Sequence, residues 1–185
     1  MKFALLLYGI VGLMLVANCS AQQLPSKILG YKVQNAKSVV TTAELNRASD
    51  ADIQIRLSDL SVSHIGLLGA TVNVGGEMLP LAASGKVDRL MFRDITINGV
   101  AVDVDGLTDK FEFHKGETLK LEKSLHASLS PLNAVKAGLA EISDDRPTWS
   151  VAGTIFVFCR VKKFGFTFKR VIPIKFSLAV KNPLV

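Results

Sequence analysis

TWSVAGTIFVFCRVKKFGFTFKRVIPIKFS, residues 148–177, is the stretch that decides the fold. In its second half apolar residues alternate with polar ones, and a period of two is typical of a half-buried β-strand. The pattern predicts two strands, 148–161 and 164–177, with phenylalanine facing the core and lysine facing solvent. Pro173 cannot donate to a ladder and predicts an edge strand or a bulge, while Arg170 falls on the inward parity. The apolar set is Phe166, Phe168, Ile172, Ile174 and Phe176, and the polar set is Thr167, Lys169, Pro173, Lys175 and Ser177.

A second hairpin is predicted around Asn98-Gly99. Both central residues of a type I′ turn need positive φ, which Asn and Gly accept most easily. The turn fixes the register, so that Ile97 pairs with Val100 and Ile95 with Val102. These four side chains therefore share the core face. The solvent-facing set is Asp94, Thr96, Ala101 and Asp103.

The rest of the chain repeats this organisation, with short segments rich in Val, Ile, Phe and Thr at intervals of roughly 8 to 15 residues, as in a sandwich or a barrel. We expect turns at Gly66, at Gly75-Gly76 and at 83–86. Ser130-Pro131 predicts the start of one helix that ends near Glu141, with Leu132, Val135 and Leu139 at helical spacing. The other candidate strands are 28–33, 38–43, 51–57, 69–74, 89–97, 100–107, 110–114 and 118–124.

The first residues predict a targeting segment. Lys2 precedes an unbroken apolar run over 3–17, which is followed by small and polar residues, the pattern of a cleaved signal peptide of about 21 residues. Two cleavage sites fit. Cleavage after Ala21 would release a soluble protein, whereas residues 16–19 resemble a bacterial lipobox, in which cleavage before Cys19 leaves a lipidated cysteine anchored to the envelope. We therefore expect an exported protein, periplasmic or secreted, with lipidation of Cys19 as the open alternative.

The mature chain is expected to fold without a disulfide. Once Cys19 is removed or lipidated, Cys159 is the one remaining cysteine, and its place in an apolar strand predicts a small buried side chain. The mature length of about 164 residues is enough for one domain with its own core. We expect residues 22–50 to form an N-terminal extension with the first strands, and residues 51–185 to form the β-sandwich domain.

The net charge of +6 is concentrated near the C-terminus, because residues 146–185 contain eight Lys and Arg and no acidic residue. Five cations flank the turn of the last hairpin, with Phe164 and Phe166 among them. Such a cluster can contact anionic lipid head groups while its aromatic side chains insert at the interface. The alternative is that the charges protect an edge hairpin from aggregation. The five cations are Arg160, Lys162, Lys163, Lys169 and Arg170.

The sequence offers no pattern typical of an enzyme, a cofactor site or a metal site. There is no Gly-x-Ser-x-Gly motif, and His64, His114 and His126 lie in separate segments without a nucleophile beside them. The acidic run at 103–106 lacks the later ligands of a calcium loop, and Asp94 with Asp103 is better explained as a pair of solvated carboxylates. We expect a non-catalytic protein with no cofactor and no nucleic-acid partner.

The order of motifs in the second half resembles the LEA14-like domain, also called the type 2 late embryogenesis abundant or water-stress and hypersensitive response domain. The motifs are Ile97-Asn98-Gly99, Phe111-Glu112-Phe113, Lys115-Gly116-Glu117, 119–129, the short helix, Val151-Ala152-Gly153 and Phe164-Gly165-Phe166. The resemblance implies an immunoglobulin or fibronectin-III-like antiparallel β-sandwich without catalytic residues, associated with desiccation and other stress. It also implies that exported bacterial members are often lipoproteins.

Two functions remain open from the sequence. The first is a non-catalytic exported or envelope-anchored protein of the LEA14-like kind, which protects or binds other molecules under stress. The alternative is a periplasmic carrier of lipids or other apolar ligands, because the chain is rich in Leu, Val, Ile and Phe. A well-filled sandwich would favour the first, and an enclosed apolar cavity would favour the second.

Overall fold

The computed structural model describes residues 24–66, 69–128 and 147–182, and this part of the chain is all-β. Its strands form two sheets, as the alternation and the spacing of turns predicted. The strands are β1 (Lys27–Ile28), β2 (Tyr31–Val33), β3 (Ser38–Thr41), β4 (Ile53–Gly66), β5 (Gly69–Pro80), β6 (Ser84–Ile97), β7 (Val100–Ala101), β8 (Asp103–Val104), β9 (Phe111–Phe113), β10 (Leu119–Ser128), β11 (Thr148–Lys163) and β12 (Phe166–Lys181).

The larger sheet has the strand order β1-β2-β12-β11-β6-β7, and β9 pairs with β6 at its other end. The smaller sheet has the order β3-β4-β5-β10-β8. Most neighbours are antiparallel, while β2 runs parallel to β12 and β3 runs parallel to β4. The chain therefore crosses between the sheets, and its first strands contribute an edge to each of them.

The hairpin of β11 and β12 is the longest element of the larger sheet. Its ladder runs without a register shift from the pair Thr148–Lys181 to the pair Lys163–Phe166. Phe164 and Gly165 form the two-residue turn, and both have positive φ, 51° and 78°. Strand β12 lies between β11 and the short β2, so that Pro173 faces β11 where β2 no longer pairs with β12. The ladder passes Arg170 without a bulge.

The predicted turn at Asn98-Gly99 is confirmed. Both residues have positive φ, 51° and 85°, and Ile97 pairs with Val100. The amide of Val102 donates to the carbonyl of Ile95 over 2.9 Å, which continues the predicted register. Ile95 is buried, whereas Asp94, Ala101 and Asp103 are exposed, so the two faces are also as predicted.

The core lies between the sheets and is most tightly filled toward the end at which β4 begins. Ile53 and Met78 of the smaller sheet meet Val87, Val157 and Ile174 of the larger one, all at most 8% exposed. Phe113 and Cys159 complete this cluster. Consecutive residues Val157, Phe158 and Cys159 are all buried, so β11 is covered on both faces at this level.

Several predicted boundaries were wrong, and three of these differences are explained by individual glycines. Residues 28–33 form two strands, because Leu29 and Gly30 take positive φ and close a two-residue turn between β1 and β2. Gly75 and Gly76 lie inside β5, where a Cβ on Gly76 would come within 2.7 Å of the carbonyl oxygen of Arg56. Residues 84–86 open β6 instead of forming a turn. Gly85 is needed there because a Cβ would collide with the carbonyl oxygen of Arg160. The predicted helix at 130–141 and the predicted signal at 1–21 lie outside the described residues.

Gly85→Ala should destabilise the protein by about 1–3 kcal/mol, the usual cost of forcing an extra methyl group into a packed site. The added Cβ meets backbone of β11, which cannot rotate away, and it also meets the Phe113 ring. The measurement is the free energy of unfolding in urea. Gly99→Asn is the matched control, since nothing lies within 4 Å of that position and Asn accepts positive φ. A loss in Gly85→Ala no larger than in the control would contradict the close approach.

Candidate functional site

The end of the β11–β12 hairpin carries the largest exposed apolar side chains of the described chain. Phe164 is 85% exposed, Phe166 is 69% exposed and Phe168 is 37% exposed. Phe166 and Phe168 lie on the face of β12 that the alternation predicted to point inward. They are not buried there, so the prediction that they belong to the core was wrong. Val161 and Ile172 border a small pocket with Ile53 and Pro80 at the edge of the smaller sheet. Phe168 pairs with Val161, and Phe166 lies about 7 Å farther along the strand, past that edge.

Leu29 brings a fourth apolar side chain to the same end of the molecule. Strand β2 runs parallel to β12 with Lys32 beside Arg170, so the residues before Tyr31 lie toward Phe168 and Phe166. Leu29 is 62% exposed and occupies the β1–β2 turn. We call Leu29, Phe164, Phe166 and Phe168 the apolar tip.

Two members of the apolar tip adopt a backbone conformation that disfavours their side chains. Leu29 has φ of 49° and Phe164 has φ of 51°. The left-handed region costs a residue with a Cβ roughly 1–2 kcal/mol, and Gly, Asn or Asp fill it more readily. Each residue precedes a glycine in a tight turn, as Asn98 does at the other end of the sheet. The two turns therefore hold a large apolar side chain where Asn would fit with less strain.

Cations lie beside one another at this end of the larger sheet. Arg160 is the direct cross-strand neighbour of both Lys86 and Lys169, and Lys27 pairs directly with Lys32. Like charges opposite each other on paired strands repel and destabilise the sheet. Anions stabilise such neighbouring cations, whether the anions come from the protein or from a partner.

Two of these cations are paired with carboxylates within the fold. Lys86 Nζ lies 3.6 Å from Oε1 of Glu112 in an exposed ion pair, whereas the partner of Arg160 is buried. The Nε of Arg160 donates to Oδ2 of Asp88 over 2.9 Å, and the hydroxyl of Tyr31 donates to the same oxygen over 2.9 Å. The Asp88 side chain is only 5% exposed, because it sits at a bulge of β6 on the outer face of the sheet. The Tyr31 ring also packs edge-on against Phe158 at 5.2 Å. Arg160 therefore has a structural partner that ties β11, β6 and β2 together.

The other four predicted cations lie at the tip, and three of them contact aromatic rings. The Lys163 ammonium lies 5.3 Å from the Phe164 ring, and the Arg170 guanidinium lies 5.1 Å from the Phe168 ring. The Lys169 ammonium lies 5.7 Å from the Tyr31 ring. Lys162 is exposed on the outer face. The structure thus brings Lys162, Lys163, Lys169 and Arg170 together near the apolar tip, whereas Arg160 is paired with Asp88.

Burial raises the pKa of Tyr31 above its ordinary value, and the bond to Asp88 adds to that rise. The pKa of Arg160 is raised by the same carboxylate. Burial also raises the pKa of Cys159 from 9.0 to about 11, with the nearby Asp88 charge as the second cause. A thiol with this pKa is protonated at neutral pH and is a poor nucleophile. Cys159 is buried, as predicted.

The remaining polar candidates are not brought together. Among the described residues, no group of three or more His, Cys, Asp and Glu side chains is arranged to hold a metal ion. His114 and His126 are exposed on different sheets. The part of the chain that the structure describes contains no helix with the length and apolar character needed to span a bilayer. Cys19, the predicted lipidation site, lies outside the described residues.

Sequence reasoning found the cations with Phe164 and Phe166 among them, and it missed Leu29 and Phe168 as members of the apolar tip. The alternation placed Phe166 and Phe168 on the right face, but alternation does not show where the opposite sheet ends. Leu29 was assigned to the middle of a strand. The pair Leu29-Gly30 has the same spacing to its flanking strands as Phe164-Gly165, and this similarity was the available signal for a tight turn.

Comparisons with known proteins give structural similarities only. No model of a known family matches the chain, and no curated protein matches it in sequence. The crystal structure of a protein from Archaeoglobus fulgidus is 11% identical and has a TM-score of 0.40, and the match covers 67% of this chain and 95% of that one. The solution structure of AT1g01470 from Arabidopsis thaliana is 12% identical with a TM-score of 0.43, over 68% of this chain and 79% of that one.

A third similar structure is that of At2g46140.1, which is provisionally described as a late embryogenesis abundant (LEA) protein. It is 7% identical with a TM-score of 0.29, over 70% of this chain and 71% of that one. All three TM-scores lie below 0.5. The residues that the structure describes form an all-β fold of two sheets.

Tyr31→Phe should lower the free energy of unfolding by about 1–2 kcal/mol, because it removes one of two hydrogen bonds to a buried carboxylate. The measurement is urea unfolding. Asp88→Ala, which removes the acceptor, and the double variant complete a mutant cycle, in which two bonded partners are non-additive. Additive losses would show that the hydroxyl and the carboxylate do not interact.

Alkylation of Cys159 should be slow in the native protein at pH 8 and fast after unfolding, since the folded thiol has a pKa of about 11 and is buried. The raised folded pKa also stabilises the native state fully below pH 9, and this contribution is lost as pH rises from 9 toward 11. Peptide mass spectrometry after iodoacetamide treatment separates Cys159 from Cys19. Equal rates in native and unfolded protein would contradict the burial.

Proposed function

We propose that the protein is a non-catalytic β-sandwich that binds anionic membrane surfaces through the apolar tip and the cations around it. The observation that carries the proposal is the pair of tight turns that hold Leu29 and Phe164 exposed at positive φ. Strained residues at a surface are retained where the strain serves a function. An exposed aromatic side chain in a strained turn gives no benefit in water, but it gains free energy in a lipid interface.

The charges around the apolar tip favour the same partner. Lys163 and Arg170 lie over the rings of Phe164 and Phe168, and Lys162 and Lys169 lie at the same end of the hairpin. Each cation near an anionic bilayer contributes about 1 kcal/mol. Arg160 lies between Lys86 and Lys169 on the neighbouring strands, and the repulsion among these cations decreases when lipid phosphates or carboxylates approach. Apolar side chains in the centre and cations at the rim are the arrangement that inserts shallowly into a negatively charged interface.

The cellular part of the proposal rests on the sequence. The N-terminal pattern supports export to the envelope, where such a surface would meet the outer face of a membrane. The motif resemblance supports a stress-related protein of the LEA14-like kind with an immunoglobulin or fibronectin-III-like sandwich. Together with the tip, these features favour a protein that stays at the membrane and protects it during water loss, with no reaction of its own.

Phe164→Asn and Leu29→Asn should each raise the stability of the fold by roughly 1 kcal/mol while weakening membrane binding. Asn relieves the left-handed strain at the turn, and the apolar side chain that enters the lipid is lost. The measurements are urea unfolding and co-sedimentation with vesicles of phosphatidylglycerol and phosphatidylcholine. Stability and binding thus change in opposite directions, which a purely structural role of the two side chains does not produce.

The charge requirement is tested with Lys162→Glu combined with Lys163→Glu, which should reduce binding to the anionic vesicles at least about tenfold. Wild-type binding should weaken with salt and nearly disappear on pure phosphatidylcholine. The matched control is Lys110→Glu combined with Lys175→Glu, two exposed lysines away from the tip, and Val39→Ser controls for an exposed apolar side chain. Equal loss in control and tip variants, or no binding of the wild type to either vesicle, would refute the proposal.

A further inference from the structure

A cavity of about 150 Å³ lies between the two sheets at the end of the sandwich away from the apolar tip. Both sheets contribute to its wall. Val72 and Leu125 line it from the smaller sheet, and Ile97, Trp149 and Leu178 line it from the larger one. The cavity is near the Asn98-Gly99 turn and adjoins the filled core, because Ile55 and Ile155 line it and also pack against that core.

The wall of the cavity exposes no polar atom. A buried water molecule is stable where it finds two to four polar partners, and an apolar cavity of comparable size, ~150 Å³, stays dry and takes up benzene or xenon. Filling this space with water is therefore unfavourable. An apolar molecule, by contrast, would gain contacts with the apolar wall and would lose no hydrogen bond on entry.

The cavity remains open partly because several side chains in its wall are short. Val72, Val151 and Ala127 are short, and they remain partly exposed, while Val87 and Ile174 in the filled core are at most 1% exposed. Near the cavity β6 is also bent, because the register between β6 and β11 shifts at Ala152–Thr154. These short side chains leave a gap beside the larger ones in the wall, such as Trp149 and Phe176.

We propose that this cavity is a binding site for one small apolar molecule, of the size of a single aromatic ring or a short hydrocarbon. Sites for drug-sized ligands occupy about 300–1,000 Å³, so a whole lipid does not fit. If the protein is a carrier, as the sequence left open, this volume limits its ligands to molecules much smaller than a lipid. The cavity and the apolar tip lie at opposite ends, so this proposal stands independently of membrane binding.

The test uses toluene as the probe and the methyl groups of the protein as reporters. In the methyl-labelled protein, toluene should produce saturable NMR shifts at Val72, Leu125 and Val151, whereas Val87, Val157 and Ile174 in the filled core should stay unchanged. The melting temperature should rise with toluene concentration, since a ligand that binds the folded state stabilises it. No shift at saturating toluene, or equal shifts at both ends, would overturn the proposal.

A variant that fills the cavity sharpens the test. Ala127→Leu should weaken toluene binding at least tenfold, because the added side chain occupies the site. Ala179→Leu is the matched control, an exposed alanine on β12 outside the cavity, and it should bind toluene as the wild type does. Unchanged binding in Ala127→Leu would overturn the proposal. If Ala127→Leu fails to fold, the wild-type comparison of the two sets of methyl groups decides.

Discussion

The continuous ladder between β11 and β12 is the constraint on which the rest of the structure depends. It pairs every residue from Thr148 with Lys181 to Lys163 with Phe166, so the two strands form one long, stiff ribbon. Strand β6 on one side and β2 on the other add to this ribbon. The smaller sheet covers the ribbon at its middle but not at its turn. The ribbon's length therefore creates both the central core and the uncovered end with its exposed phenylalanines.

The two ends of the sandwich differ because different constraints act on them. At the end with the apolar tip, the hydrogen-bonded ladder extends the hairpin past the smaller sheet. This leaves a cluster of aromatic and cationic side chains exposed. At the other end the sheets face each other across the cavity, which the side chains of its wall do not fill. Between them lies the filled core around Val157 and Ile174. Stability is concentrated in that middle level, and the ends are free to serve binding.

Much of the fold followed from the sequence, because local rules fix strands and tight turns. Asn98-Gly99 determined its turn and register, and Cys159 was correctly expected to be buried. The errors share one cause, since local patterns carry no information on the partner across the core. Phe168 has the parity of a core residue but lies where the opposite sheet ends. Gly76 looked like a turn residue, yet its lack of a side chain serves a close approach to β4.

The sequence predicted which cations belong to the candidate site, but not how they are arranged and paired. The basic cluster was visible in the sequence, but its division was not, because the partner of Arg160 is Asp88, more than seventy residues earlier in the chain. The same holds for Leu29, which reaches the tip only through the parallel pairing of β2 with β12. Contacts between distant segments thus decide which cations are neutralised within the protein and which remain available to a membrane.

The central claim is that the apolar tip is the surface that enters the membrane. The most direct measurement is paramagnetic broadening of backbone amide signals in the protein bound to anionic nanodiscs that carry a gadolinium-chelating lipid head group. The account predicts broadening confined to residues 162–169 and to the turn at Leu29 and Gly30. Broadening centred on the opposite end, around Asn98 and Gly99, or no broadening on anionic nanodiscs, would contradict it.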